Sequence, residues 1–564
     1  MNSPIEEDRA TEEHAMGKWI VCSAWPYVNT LPHLGTFVHL LSADVFSRYL
    51  VLKGEDVISV TGSDEHGTPI EVEAIKKGVP PKALTDQYHA ALCDLLEKYQ
   101  IRFTNYTRTE NPVHTRFIQE FYSKVYDNGY IYSETVNLPF CPKCGRFLPD
   151  RFVEGVCPHC GEDNARGDQC DSCGRVLDPL ELKSRRCAFC GATPTIRPSK
   201  HWFFDLPKFT DALNQYIDSN TQLPENARNF SKRWLKEGLQ PRALTRDNRW
   251  GIPAPFPGAE GKTIYVWLEA VLGYVSAAVE WAEKNGQPDD WKRYWFDKET
   301  RNVHFIGKDN IPFHTIILPA LLLATEDPYV LPWQVSSTEF ILFDNKKFSK
   351  SHRIGVWMDE ALRVAPSDYW RYVLIALRPE TKDANFTWKE FQARVNADLN
   401  DVLGNFVHRT LTFIKSNFAG SIPSASELAD RDRKVFERLR ECHQKAEMEL
   451  DQCKLREGLS AVMDVAREGN LYLSETEPWH KIKLDPADAR TTMFVCAQLV
   501  RSLAIMLTPF MPVMAESVWS QLGIQASLAS ARWKEAGEIG VSEGHLIGTP
   551  VPLFKKISDD QIKQ

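Results

Sequence analysis

The sequence predicts an α/β fold in which a parallel sheet is split by a cysteine-rich insertion and followed by a separate bundle of helices. Three observations carry this. Short apolar, β-branched runs alternate with helical periodicity over residues 17–130 and again over 262–345, the pattern of strand–helix–strand units. Cysteines paired as CxxC crowd the interval between those halves. From residue 396 onward the apolar spacing becomes that of long amphipathic helices.

Residues 18–26 (KWIVCSAWP) read as the first strand, ended by turn chemistry at 29–32. Leu34, Phe37, Val38, Leu41, Val45, Tyr49 and Leu52 then recur near helical spacing until Gly54, a C-terminal stop. Residues 57–61 form a second strand leading to Gly62 and the polar group Ser63, Asp64, Glu65 and His66. Asn111 before Pro112 supplies an N-cap and a first-turn proline, and that helix should run to Gly129. Beyond the insertion, 263–267, 303–306 and 335–343 read as strands, separated by apolar helices near 268–282 and 312–324. Helices are expected at 396–417, 427–453, 455–473 and 486–507. The chain therefore divides into a disordered leader (1–16), two sheet halves (17–130 and 262–345) around the insertion (131–261), a linking segment (346–395), a helical domain (396–545) and a C-terminal tail (546–564).

At 564 residues the chain exceeds what one hydrophobic core serves, which fits several units. Hydrophobic residues are 43% and charged residues 25%, values that exclude extended disorder. A net charge of −8 excludes indiscriminate coating of nucleic acid, so any such contact must be local. The leader lacks the apolar stretch of a signal peptide, and no run of apolar residues is long enough to span a bilayer. A soluble, cytoplasmic protein without membrane contact is expected.

Thirteen cysteines are present. Cys22, Cys93, Cys442, Cys453 and Cys496 are scattered and read as small apolar residues. The others form four pairs, Cys141/Cys144, Cys157/Cys160, Cys170/Cys173 and Cys187/Cys190, each followed by glycine at 145, 161, 174 or 191. In an intracellular chain that pattern predicts two tetrahedral sites of four thiolates, each holding Zn2+. Full thiolate coordination leaves no open position, so both metals should be structural. Spacing alone permits nested or sequential pairing.

Two short segments carry phosphate chemistry. His33-Leu34-Gly35-Thr36 stands where a strand and loop give way to a helix, where backbone N–H groups and the helix dipole favour phosphate. Alone, it also describes an ordinary helix-starting histidine. Lys347-Phe348-Ser349-Lys350-Ser351 is a loop with two ammonium groups and Gly355 nearby, which alone describes a solvated basic loop.

Together these segments resemble the HIGH and KMSKS motifs of class I aminoacyl-tRNA synthetases, and the resemblance extends over nearly all of the chain, toward the branch specific for methionine. It implies a split Rossmann-like catalytic domain with a zinc-knuckle insertion, and a ligase that joins L-methionine to AMP using ATP and Mg2+, then to the 3′ end of tRNA(Met) for initiation and elongation. His33 and Lys350, supported by Lys347, would stabilise the charge that develops on the phosphates. Thr36 replaces the family's second histidine and supplies a neutral hydroxyl in that catalytic group. His304-Phe305-Ile306-Gly307-Lys308-Asp309 is similar to the family's HFIGKD element, so ATP contacts are implied for His33, Gly35, Gly307, Asp309, Ile341 and Lys350.

The methionine site implied by resemblance comprises Ala24, Trp25, Tyr27, Asp64, Trp267, Ala270, Val271, Tyr274, Asn310 and His314. Aromatic walls suit a polarisable thioether, and Asp64 would hold the α-ammonium group; an N-cap role for Asp64 is the competing reading. Fit to an apolar side chain discriminates weakly, which makes homocysteine a predictable error. Asn405 and Arg409, spaced i, i+4, and Trp479 resemble the family's anticodon-reading residues, with capping or packing as the alternative. The resemblance also favours nested zinc pairing: Cys141, Cys144, Cys187 and Cys190 on one ion, Cys157, Cys160, Cys170 and Cys173 on the other. Lys232, Arg233, Lys236, Arg242, Arg246 and Arg249 either guide the tRNA acceptor end or form solvated surface. Nothing after Gly523 resembles an appended dimerisation or tRNA-binding domain, so a monomer is expected, with a separate tRNA-binding protein as a conceivable partner.

Overall fold

The computed structural model describes residues 16–148, 152–167, 170, 172–173, 175, 177–348 and 354–562. The expected leader, apart from Met16, lies outside the described residues, as do Gly174, Ser349, Lys350 and Ser351.

Five strands form the central sheet: β1 (Lys18–Ser23), β2 (Asp56–Ser63), β3 (Asn105–Arg108), β4 (Arg301–Gly307) and β5 (Gln334–Thr338). Their order is β5-β4-β1-β2-β3, and every pairing is parallel. β1 is central, with Val21 opposite Ser59 on one side and Val303 on the other. Both of its faces are covered, which is why it reads as a continuous apolar run without alternation. Helix α1 (Leu34–Lys53) connects β1 to β2 and ends at Gly54, whose left-handed φ of 92° lets its amide reach the carbonyls of Leu50 and Val51. All five strands point their carboxyl ends to one side, where crevices in open parallel sheets collect ligands.

Two segments read as strands differ. Residues 263–267 do not enter the sheet: Thr263–Ile264 pairs with Thr245–Arg246, and helix α2 (Val266–Ala270) begins immediately after. A short apolar run does not distinguish a strand from the start of a buried helix, and here tertiary pairing decides. Residues 335–343 divide between β5 and a second strand, Ile341–Phe343, which pairs with Lys346–Lys347 and Ala384–Phe386. β3 carries no apolar run or alternation that would mark a strand: it reads Asn-Tyr-Thr-Arg, and its buried positions are the polar Asn105 and Thr107.

The insertion stands on a two-stranded antiparallel stalk, in which Ile131–Cys141 runs against Thr195–Phe204 from Ile131↔Phe204 to Phe140↔Thr195. After β5, helix α3 (Asn405–Asn417), α4 (Asp430–Asp451), α5 (Leu455–Thr476) and α6 (Pro486–Leu507) build the bundle. α6 is long and apolar enough to cross a membrane, but 89% of its apolar window is buried inside the protein, as the central helix of the bundle.

Bundle and sheet are locked together. Arg371, fully buried, pairs with Asp44 of α1 at 2.7 Å and donates to the carbonyls of Pro509 and Phe510 at 2.8 Å. Removing one partner of such a pair leaves a buried charge uncompensated and costs about 3–5 kcal/mol. Asp451 of α4 reinforces the joint by accepting from Tyr49 and Lys53 of α1 at 2.7 and 2.9 Å.

Candidate active site

His33 is the N-cap of α1, with extended backbone (φ −92°, ψ 171°). The segments flanking residues 349–353 both come to it. Before them, the Phe348 ring stacks on the His33 imidazole, with centroids 4.7 Å apart and planes inclined by 6°. After them, Trp357 bridges to His33, and Leu34 N–H donates to Val356 O at 3.2 Å. Gly355 makes room for the stack: its φ of 146° excludes most side chains, and a Cβ there would stand 2.3 Å from Phe348 Cδ1. Gly35 and Thr36, both half-buried, occupy the first turn of α1, with the Gly35 backbone close to the His33 ring. Lys350 lies outside the described residues, yet the chain on either side of it is held against His33.

Lys347 is exposed, with its ammonium 4.8 Å from the centroid of the Phe340 ring. Lys308 approaches the same ring at 4.0 Å and pairs with Glu339 at 2.7 Å. These contacts bring Lys347 toward the end of β4, where Gly307 closes the strand and Asp309 and Asn310 follow in a short helical turn; buried Ile341 opens the strand that pairs with Lys346–Lys347.

Tyr27 bridges to Asp64, with Asp64 N–H donating to Pro26 O at 2.9 Å and Val28 N–H to Asp64 O at 3.1 Å. This continuation of β1 and β2 brings Ala24, Trp25, Tyr27 and Asp64 to one wall. Trp25 sets its edge against Tyr274, at 6.5 Å and 79°. The Tyr274 hydroxyl lies 2.8 Å from His314 Nε2, and His314 Nδ1 lies 2.8 Å from Asn310 O. A carbonyl can only accept, so Nδ1 carries the hydrogen and Nε2 accepts from the tyrosine. Burial lowers the His314 pKa to about 4 and keeps the ring neutral. Trp267 faces Phe313 at 4.6 Å, and Ala270 and Val271 continue α2 toward helix 273–284, which carries Tyr274. Trp25, Tyr274, His314 and the Asn310 carbonyl are thereby linked in one run of aromatic and polar contacts, with Tyr27 bridged to Asp64 and Trp267 set against Phe313.

Asp64 caps no helix; the residue before helix Thr68–Lys77 is Gly67. Its carboxyl is buried, with Oδ1 lacking a hydrogen-bond partner among the described residues. Burial, then the charge of Glu269, raises its pKa well above the ordinary value. A cationic group would relieve both effects.

Behind this wall lies a polar brace that sequence reading missed. His66 Nδ1 meets Glu269 at 2.5 Å, its Nε2 meets Glu110 at 2.9 Å, and His114 approaches Glu269 at 3.6 Å. Burial acts to lower the His66 pKa, but the two carboxylates prevail and push it up to about 10, so the ring is an imidazolium. The brace ties the loop after β2 to α2 across 203 residues of sequence, a separation that no local pattern reveals.

The CxxC pairs assemble as two nested sets, Cys141, Cys144, Cys187 and Cys190, and Cys157, Cys160, Cys170 and Cys173, with all ligand sulfurs of a set within 4.8 Å of one another. Sγ–Sγ distances of 3.5 and 3.8 Å in the first set and 3.9 and 3.6 Å in the second approach the ~3.8 Å edge of a tetrahedron with zinc–sulfur bonds of ~2.3 Å. The amides of Gly145, Gly161 and Gly191 close three of the four knuckles on the carbonyls of Cys141, Cys157 and Cys187. The donor set fits two structural zinc ions. Arg146 couples the knuckles to the catalytic half through Glu71 at 2.8 Å.

In the bundle, Arg409 lies over the Trp479 ring at 4.9 Å, and both line a cavity of about 300 Å³ with His408, Phe413, Leu473 and Met493. Asn405 is exposed one turn earlier on α3 and does not line it. Of the basic residues after the knuckles, Lys232 pairs with Asp218, while Arg233, Arg242 and Arg246 lie over Phe230, Trp234 and Tyr265.

Residues 19–411 match the family described as tRNA synthetases class I (M), and residues 422–564 match the anticodon binding domain of methionyl tRNA ligase. A methionine–tRNA ligase from Thermofilum pendens is 52% identical, covering 98% of this chain and 97% of its own. One from Aeropyrum pernix is 49% identical, covering 97% and 96%. Among solved structures, Mycobacterium tuberculosis methionyl-tRNA synthetase in complex with methionyl-adenylate superposes with a TM-score of 0.79 at 25% identity, over 96% of this chain and all of the other.

Proposed function

The chain belongs to the class I methionyl-tRNA synthetases, enzymes that activate methionine with ATP and transfer it to tRNA(Met), and we propose that the crevice at the carboxyl ends of β1, β2 and β4 performs both steps. In the first, a methionine carboxylate oxygen attacks the α-phosphorus, the bond to the bridging oxygen breaks, and pyrophosphate leaves with that electron pair. Both reactants are anions, so barrier lowering rests on placement and on positive charge near the phosphates. His33 and Lys350 supply those groups, Lys347 supports them, and Thr36 offers a hydroxyl. Gly35, Gly307, Asp309 and Ile341 receive the rest of the nucleotide. Mg2+, bound with ATP, neutralises phosphate charge.

Tyr27, Trp267, Ala270, Val271, Tyr274, Asn310 and His314 enclose the methionine side chain, with Ala24 and Trp25 shaping the wall and Asp64 pairing with the ammonium. Because His314 Nε2 already accepts from Tyr274, the tyrosine hydroxyl is oriented before substrate arrives. In the second step a hydroxyl of the terminal tRNA ribose attacks the methionyl carbonyl, AMP leaves, and an ester forms. Asn405, Arg409 and Trp479 read the anticodon by stacking and hydrogen bonding. We further propose that the protein acts as a cytoplasmic monomer free of membranes.

The observation that supports this reading most is the stack of His33 on Phe348, together with a buried Asp64 whose Oδ1 has no hydrogen-bond partner among the described residues. A screen of ATP–pyrophosphate exchange across the amino acids tests it. Methionine should drive exchange, homocysteine weakly, and branched aliphatic residues hardly at all; another preferred amino acid would overturn the substrate.

A further inference from the structure

His39 lies one turn beyond Gly35 and Thr36 on the same face of α1, half-buried. Its Nε2 stands 2.9 Å from Thr338 Oγ1, the last residue of β5. Its Cε1 edge lies against Gly307, the last residue of β4, so closely that a Cβ there would stand 3.2 Å away. The ring therefore touches the ends of two adjacent strands at the crevice. Its hydrogens can be followed. The Thr338 hydroxyl donates to Ile306 O at 3.3 Å, so Oγ1 accepts from Nε2–H and Nδ1 keeps its lone pair. Burial, then the charges of Arg378 and His33, lower the pKa to about 3, so the ring is neutral. It offers a fixed hydrogen-bond acceptor and no charge to a phosphate.

We propose that His39 contacts the adenosine of ATP, with Nδ1 accepting a hydrogen bond from the base amino group or a ribose hydroxyl, and thereby sets affinity for the nucleotide. This rests on the function proposed above, which gives Gly307 to the nucleoside. Thr338 is the positioning residue: it fixes the tautomer that exposes the acceptor.

Methionine-dependent ATP–pyrophosphate exchange tests this with His39→Ala, His39→Gln and Thr338→Val, using ATP, 2′-deoxy-ATP and purine riboside triphosphate. His39→Ala should raise KM for ATP about tenfold, the loss of one useful hydrogen bond, with KM for methionine within about twofold. His39→Gln, which retains a donor and an acceptor, should recover most of the affinity, and Thr338→Val should raise KM for ATP less than His39→Ala. One analogue, lacking the donor that Nδ1 receives, should be insensitive to His39→Ala, which separates base from ribose. An unchanged or lower KM for ATP in His39→Ala would overturn the proposal, showing a ring that only fills space; so would equal rises for ATP and methionine. If the unsubstituted protein shows no exchange, the proposed function fails, and calorimetric ATP binding then decides His39 alone: weaker binding by His39→Ala supports it, and equal binding refutes it.

Discussion

The rings of His33 and Phe348 lie parallel, 4.7 Å apart, joining the first turn of α1 to a loop more than three hundred residues later. An aromatic pair of this kind contributes about 0.5–1.5 kcal/mol beyond area burial. Phe348→Ala should therefore lower exchange efficiency with ATP by about threefold to tenfold while leaving methionine binding intact. Kinetics at varied ATP, with calorimetry for methionine, check both halves.

The nested cysteine sets predict two zinc ions per chain by metal analysis, and one after Cys187→Ser. Because the stalk separates the knuckles from the central sheet, chelation should open 141–190 to protease before the sheet unfolds. Simultaneous loss of knuckles and sheet would show that zinc supports the whole catalytic half.

His66 makes stability depend on pH. The unfolded histidine loses its proton near pH 6.5, whereas the folded one keeps it to about pH 10, held by Glu269 and Glu110. Its stabilising contribution is complete below pH 6.5 and declines as pH rises through that window. His66→Gln should destabilise the protein by about 3 kcal/mol at neutral pH, since Glu269 is left buried without its imidazolium. The gap in Tm between the two proteins should narrow from pH 7 to 10; a constant gap would place the effect elsewhere.

Trp479, partly exposed beneath Arg409, should separate the two steps of the reaction. Removing an aromatic stacking surface costs about 1–3 kcal/mol per base. Trp479→Ala should reduce tRNA charging about tenfold or more while sparing exchange. Equal losses in both assays would exclude an anticodon role.

Local chemistry made much of this legible. The CxxC pairs carry their ligands within a few residues, β1 announces itself by a continuous apolar run and β2 by its β-branched residues before Gly62, and the bundle by its helical periodicity. What escaped depends on distant segments meeting. Thr263–Ile264 looks like a sheet strand until Thr245–Arg246 claims it. His66 looks like a loop histidine until Glu269 meets it, and His39 is one more polar residue on an apolar helix until Gly307 and Thr338 close around it. Asn405, aligned with Arg409 by spacing, proved to stand outside the cavity that Arg409 lines.

The most direct measurement is methionine-dependent pyrophosphate exchange by His33→Ala and Lys350→Ala, with tRNA affinity measured alongside. If both side chains serve one triphosphate, each substitution should cut exchange by about a hundredfold or more and leave tRNA binding nearly unchanged. Undiminished exchange in either variant would contradict a shared phosphate site.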